Sequence, residues 1–239
     1  YRGFMIDLAR NFIGFKDQLK LIDRLAEYKV NVVQYHFNDD EGWRLEIPAI
    51  PELTEVGARR GYTLDETHDG FLMQTYSGSG NPDDIVCSSN GHLTADQFVE
   101  LLRYANDRGI RIIPEIETPG HARAAIVAMK TRYNRLLKTD PQKAIEYQLW
   151  DPDDTSVYDS AQGFRDNVLC VALPGVYKFV TKVATELQSL YTKAGLTLTA
   201  VHLGGDEVPG KCWDKSPLIQ KLKATEGLKT DHDVAAYYM

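Results

Sequence analysis

The chain has 239 residues, 43% hydrophobic and 26% charged, which suffices for one large globular domain with a substantial core. A formal net charge of -7 excludes the concentrated Lys and Arg that phosphate binding draws on, so no nucleic-acid partner is expected. No run approaches the ~18 apolar residues of a membrane span, and Cys87, Cys170 and Cys212 lack the spacing of a disulfide framework or a zinc site.

In chain order, Gly3–Leu8 is a short apolar strand, and Phe15–Tyr28 carries Leu19, Ile22, Leu25 and Ala26 at helical spacing. Val30–Phe37 is a second strand that runs into Asn38-Asp39-Asp40-Glu41. Gly42–Leu93 is long, punctuated by Gly and Pro, and mostly without periodicity, the pattern of a functional or mobile loop. Thr94 with Gln97 three residues on predicts a capping box, and Gly109 closes the helix that follows. Ile110–Ile116 is a third strand, leading to Glu117-Thr118-Pro119-Gly120-His121 and a short helix over Ala122–Lys130. Arg132–Leu173 reads as a second long insertion. Pro174 then opens a helix whose apolar stripe ends at Gly195. Leu198–Leu203 predicts a buried fourth strand, with His202 a satisfied core histidine. A short helix follows over Pro217–Ala224, and Val234–Met239 reads as a helix cut off in mid-run. With no signal peptide and no initiator Met, Tyr1 reads as a cut end, so the compartment cannot be assigned from the chain.

Strand and helix alternate four times, which predicts a parallel sheet with helices outside. A complete (β/α)8 barrel needs about 250 residues. Two long insertions consume much of this length, so the expected fold is an α/β, TIM (β/α)8-barrel type, with the chain covering about the first four β/α units. The strand ends deliver Asp7 and Arg10, then Asp39-Asp40-Glu41, then Glu117 and His121, then Asp206-Glu207. In parallel α/β architectures these ends share one rim, where active sites are built. Carboxylates gathered there suit acid–base chemistry. A general acid at neutral pH needs a raised pKa, which burial and a neighbouring carboxylate supply, and Asp206 is such a neighbour for Glu207. Because adjacent strand residues face opposite ways, the two converge only if the strand has ended at Gly204-Gly205.

His202-Leu203-Gly204-Gly205-Asp206-Glu207-Val208 resembles the signature of glycoside hydrolase family 20, the β-N-acetylhexosaminidases. Arg2-Gly3, Asp39-Asp40-Glu41-Gly42-Trp43-Arg44 and Pro114-Glu115-Ile116-Glu117-Thr118-Pro119-Gly120-His121 agree with it in order. The resemblance implies a retaining hydrolase that uses the substrate as its own nucleophile, with no cofactor and no metal. By that likeness Glu207 is the general acid and base, and Asp206 holds the acetamido N–H of an oxazolinium-type intermediate. Asp39 and His121 support the acid, and Arg2 binds ring hydroxyls of a terminal GlcNAc or GalNAc. The substrate implied is a glycan with a terminal N-acetylhexosamine, and the parent protein would be periplasmic, secreted or lysosomal in type.

Several points stay open in the residues alone. Asp39 and Asp40 could exchange roles, and Glu115 and Glu117, which share a face, belong equally to site or scaffold. Trp43 and Trp213 are expected to pack rather than stack on sugars. Two other readings compete. One is a metal-dependent barrel holding Mg²⁺ or Mn²⁺ through Asp39, Glu117, His121, Asp206 and Glu207; the other is a non-catalytic carbohydrate-binding barrel. Half a barrel would expose sheet edges, which predicts self-association and little activity for the chain alone.

Overall fold

The computed structural model describes residues 1–60 and 88–239; Cys87 and the middle of the Gly42–Leu93 stretch lie outside the described residues. In chain order the elements are β1 (Gly3–Asp7), α1 (Phe15–Glu27), β2 (Val32–His36), β3 (Asn38–Asp39), β4 (Gly42–Trp43), α2 (Glu52–Glu55) and α3 (Ala95–Asn106). They continue with β5 (Arg111–Glu115), α4 (Arg123–Leu136), α5 (Pro141–Ile145), α6 (Pro174–Ala194), α7 (Pro217–Glu226) and α8 (Asp231–Tyr238).

The sheet is parallel, in the order β1-β2-β5, while β3 and β4 form a small antiparallel pair beyond the end of β2. Alternation along the strands divides their side chains between two faces. Ile6, Val33, Tyr35 and Ile112 belong to the apolar core beneath the helices. Phe37 stacks near Tyr35 and meets Phe98 of α3 edge-on at 5.3 Å, and Phe98 in turn meets Tyr191 of α6. The Tyr191 hydroxyl donates to the Ile112 carbonyl at 2.9 Å, so α6 is tied to the sheet by a polar contact inside an apolar layer. On the opposite face the strand register aligns Asp7, His36 and Glu115 in one row.

The local signals hold where their chemistry is local. Thr94 and Gln97 form the expected capping box of α3, and α6 runs from Pro174 to a left-handed cap at Gly195. The helix after His121 is longer than expected, reaching Leu136, and a short helix, α5, capped by Asp140, interrupts the second insertion. The C-terminal helix begins earlier, at a Thr230–Asp233 capping box. Trp43 and Trp213 are buried, with indole N–H groups bonded to the Leu45 and Leu169 carbonyls, so both are packing residues.

The fourth strand is the main departure. Leu198–Leu203 is not a buried ladder strand. It touches β5 by the His202 N–H to Pro114 O (2.9 Å), Ile116 N–H to His202 O (2.9 Å) and Thr118 N–H to Leu203 O (3.1 Å) bonds. Among the described residues it pairs on that side only. An apolar run is buried by the elements placed over it, and among the described residues none pairs with its outer edge; Leu203 is exposed. The His202 imidazole is 47% exposed and sits 2.9 Å from a Glu115 oxygen, so it is not a core histidine.

Two buried arginines stitch the rim together. Arg44, fully buried, donates to the carbonyls of Ala9, Ala58, Gly91 and Ser89 at 2.8–3.1 Å. Arg60 reaches the Ser89 and Arg10 carbonyls. Orphaned buried carbonyls are costly, so Arg44→Met is expected to destabilise the domain by about 3 kcal/mol or more. Denaturant titration of the full-length protein measures this; a loss under about 1 kcal/mol would show that other donors replace the guanidinium.

Candidate active site

The site forms where the strands end, on the face carrying the Asp7–His36–Glu115 row. Its centre is Asp39, 1% exposed, just past β2. Asp39 Oδ2 accepts from His36 Nε2 at 3.0 Å and from an Arg10 guanidinium nitrogen at 2.7 Å. Oδ1 accepts from His121 Nδ1 at 3.1 Å and from the Asp40 N–H at 2.6 Å. Asp40 turns elsewhere: its oxygens accept from the Asn167 amide at 2.9 Å and the Arg123 N–H at 3.2 Å, while its own approach to His121 is 3.5 Å. Asp39 therefore holds the shorter bond to His121.

The other ring nitrogen of His121, Nε2, lies 3.4 Å from Glu207 Oε2, which gives a continuous line Asp39–His121–Glu207. His121 and Glu207 both adopt left-handed backbone, φ 49° and 47°, a region that non-glycine residues enter at a cost of order 1 kcal/mol. Gly204 and Gly205 precede Glu207 at φ 69° and 104°, so the strand has ended before Asp206, as convergence of the two acids requires. At Gly204 the close approach is steric as well: a Cβ there would collide with the Glu117 carboxylate. Asp206 lines a cleft of about 390 Å³ together with Arg10, His36, Glu115, Glu117 and His121. Glu207 stands at the edge of this group with its side chain 51% exposed, so the partial burial expected of it is modest.

The protonation pattern follows from geometry. Burial pulls the His36 and His121 pKa values down, but hydrogen bonds to Asp39 and Glu115, and to Asp39 and Asp40, outweigh it and raise them to about 10 and about 11. Both rings are imidazolium at neutral pH. Burial alone would lift Asp39, yet bonds from His121 and His36 hold it well below the usual carboxylate range. Glu115 is likewise pushed up by burial but brought down to about 2 by His36 and Gln34. Glu117, 3% exposed with Oε2 lacking a partner among the described residues, is dominated by burial; opposed by His36 but reinforced by Glu115 and Asp206, it rises to about 8. One carboxyl of the Glu115–Glu117 pair is thus ionised and the other neutral.

His36, Glu115 and Glu117, and separately Asp39, Asp40 and His121, lie close enough to share a cation. A metal would need a bare lone pair on each imidazole. Here both nitrogens of His36 face carboxylate oxygens at 3.0 Å, and His121 is bonded through Nδ1 to Asp39 with Nε2 turned to Glu207. The donor set is organised to handle protons rather than to ligate a metal.

Of the residues expected in the site, Asp39, His121, Asp206 and Glu207 come together and Arg2 does not. Arg2 precedes β1, exposed, with its N–H bonded to Asn31 Oδ1 and its carbonyl to the Asn31 and Val32 N–H groups, at the opposite end of the strand. The guanidinium in the cleft is that of Arg10, paired with Asp7 at 2.7 Å as well as with Asp39. His36 and Glu117 also belong to the site. The signal available for Arg10 was its place at the C-terminal end of the first strand; for His36, its spacing three residues ahead of Asp39.

Residues 1–239 match the profile of the glycosyl hydrolase family 20 catalytic domain. The chain is 39% identical over 226 residues to beta-hexosaminidase B of Pseudoalteromonas piscicida, covering 94% of this chain and 28% of that protein. It is 43% identical over 209 residues to N,N'-diacetylchitobiase of Vibrio harveyi, covering 87% and 23%. The family 20 exo-β-N-acetylglucosaminidase of Vibrio harveyi, solved in complex with N-acetylglucosamine, superposes with a TM-score of 0.76 at 38% identity, over 95% of this chain and 30% of that one. The β-N-acetylhexosaminidase of Bacteroides fragilis superposes with a TM-score of 0.68 at 26% identity, over all of this chain and 38% of that one. The chain spans 23% and 28% of the lengths of the two curated relatives, and the sheet order agrees with the opening strands of a (β/α)8 barrel. With strand order, rim geometry and a match along its entire length in agreement, this chain belongs to glycosyl hydrolase family 20.

Proposed function

We propose that the full-length protein carrying this domain is a β-N-acetylhexosaminidase that removes terminal non-reducing GlcNAc or GalNAc with retention of configuration. The observation that carries this reading is the line Asp39–His121–Glu207 beside a cleft that also receives Asp206. Glu207 gives a proton to the glycosidic oxygen as the bond from C1 breaks. The acetamido carbonyl oxygen of the same sugar bonds to C1, and the oxazolinium-type intermediate takes its positive charge beside Asp206. Water, deprotonated by Glu207, then opens that ring. An oriented intramolecular group can replace an enzymic nucleophile because effective molarities reach about 10⁵ M or more. Arg10 takes the part first expected of Arg2, since its guanidinium stands at the cleft and can donate to ring hydroxyls. Asp39 and His121 orient the acid.

Hydrolysis of chitobiose by the full-length protein tests the reading directly. Glu207→Gln is expected to lower kcat on this substrate about 10³-fold, and Asp39→Asn about 10²-fold through the misdirected imidazole. Activity of Glu207→Gln within about tenfold of the parent would overturn the acid assignment. Full activity in excess chelator is expected; loss restored by Mg²⁺ or Mn²⁺ would favour a metal-dependent enzyme.

The charge pattern also sets a pH dependence of stability. His36 and His121 have folded pKa values of about 10 and about 11, above the ordinary 6.5. Their contribution is complete below pH 6.5 and is lost as pH rises through 10–11. Glu117, raised from 4.5 to about 8, acts in the same direction over that interval. The denaturation midpoint is therefore expected to fall between neutral pH and pH 10, and Glu117→Gln to flatten the part of the curve below pH 8. A midpoint that climbs over this range would mean the imidazoles are neutral in the folded state.

A further inference from the structure

The insertion between α5 and α6 reaches the site through a short turn. Ser160 and Phe164 close it: the Phe164 N–H donates to Ser160 Oγ at 3.0 Å and the Ser160 N–H to the Phe164 carbonyl at 2.8 Å. The turn is moored to the catalytic rim on one side. The Asn167 amide donates to Asp40 Oδ2 at 2.9 Å, and its carbonyl accepts the Ala122 N–H at 3.0 Å. Arg123 pairs with Asp166 at 2.8 Å and lies over the Phe164 ring.

These moorings place Gln162, at the tip of the turn, with Nε2 3.3 Å from Glu207 Oε2. That is the same oxygen approached by His121 Nε2 at 3.4 Å. Glu207 Oε1 has no protein partner among the described residues. The terminal torsion of a glutamate is broad and roughly two-fold, so a half-exposed carboxyl held by one donor can swing between its two oxygens. The Gln162 amide and the His121 imidazole, from distant parts of the chain, both meet that one oxygen. An oxygen that accepts the Gln162 amide N–H and lies beside the His121 imidazolium is also the poorer place for a proton.

We propose that Gln162 is a positioning residue for the proton donor: with His121 it occupies Glu207 Oε2, so that Oε1 carries the proton delivered to the leaving group. This rests on Glu207 acting as the acid, as argued above. The proton moves from Oε1 to the glycosidic oxygen as the bond to C1 breaks, and Oε2 keeps the Gln162 bond and the neighbouring imidazole throughout.

Leaving-group dependence in the full-length protein tests it. A poor leaving group, as in chitobiose or a methyl N-acetylglucosaminide, needs protonation, whereas 2,4-dinitrophenolate departs without it. Gln162→Leu is expected to lower kcat about 10- to 30-fold on the poor leaving groups and less than about threefold on the dinitrophenyl substrate. Gln162→Met, matched in length but without the donor, should give the same division, with the thermal midpoint of both variants equal to that of the parent. Equal losses on all substrates, or no loss, overturn the positioning role. Glu207→Gln serves as the reference and should show the same division more steeply. If it does not, the acid assignment itself fails and this inference falls with it; if only the Gln162 variants fail to divide the substrates, the acid assignment stands and this inference alone is wrong.

Discussion

A single buried carboxylate organises this structure. Asp39 is removed from water with its charge intact, a state that costs several kcal/mol unless each oxygen is supplied with donors. Four donors converge on it: two imidazoles, one guanidinium and one backbone N–H. They arrive from the end of β1, from β2 itself and from the turn after β5. The carboxylate is therefore a knot between three strand ends, and the rim is ordered because leaving any of these charges unpaired would be expensive. The buried Arg44 and Arg60, which gather carbonyls from Ala9, Arg10 and Ser89, reinforce the same region with their backbone contacts.

From that knot acids and imidazoles alternate outward. Across the sheet the register aligns Asp7, His36 and Glu115, and the edge segment adds His202 as the fourth member, giving acid, imidazole, acid, imidazole. Unlike neighbours in such a row stabilise one another. Glu117 has no place in the alternation and is held neutral chiefly by burial, with Asp206 beside it in the cleft. The two carboxylates of the adjacent pair consequently meet different surroundings. Asp206 faces the cleft and a neutral acid; Glu207 faces an imidazolium and an amide. Different environments for neighbouring acids are how one short segment can serve two chemical roles.

Backbone geometry makes this division possible. Gly204 takes a left-handed conformation that side chains rarely adopt and sits where a Cβ would displace the Glu117 carboxylate, and the chain then bends so that Asp206 and Glu207 no longer alternate across a strand. His121 accepts a left-handed backbone at the end of its own turn. Strain of this kind persists only where surrounding contacts over-determine it, and the hydrogen bond of His121 to Asp39 with its ion pair to Glu207 supplies them.

Features that depend on residues a few positions apart could be read before any fold was known. The capping box at Thr94, the Pro174 and Gly195 limits of the long helix, the strand cores and the acids at the strand ends were all legible, because period and turn chemistry act locally. The tertiary structure decided which of these groups meet. Arg2 and Arg10 flank the same strand and only their place along it separates them: the C-terminal end of β1, with Arg10, opens on the cleft. Whether Asp39 or Asp40 grips His121, and whether His36 and Glu117 face inward, is a matter of register between strands distant in sequence. The apolar run before Gly204 looked buried, but burial belongs to the neighbours of a segment rather than to the segment, and here its outer edge has no partner among the described residues. Convergence is a long-range property: pattern supplies the candidates, and packing selects among them.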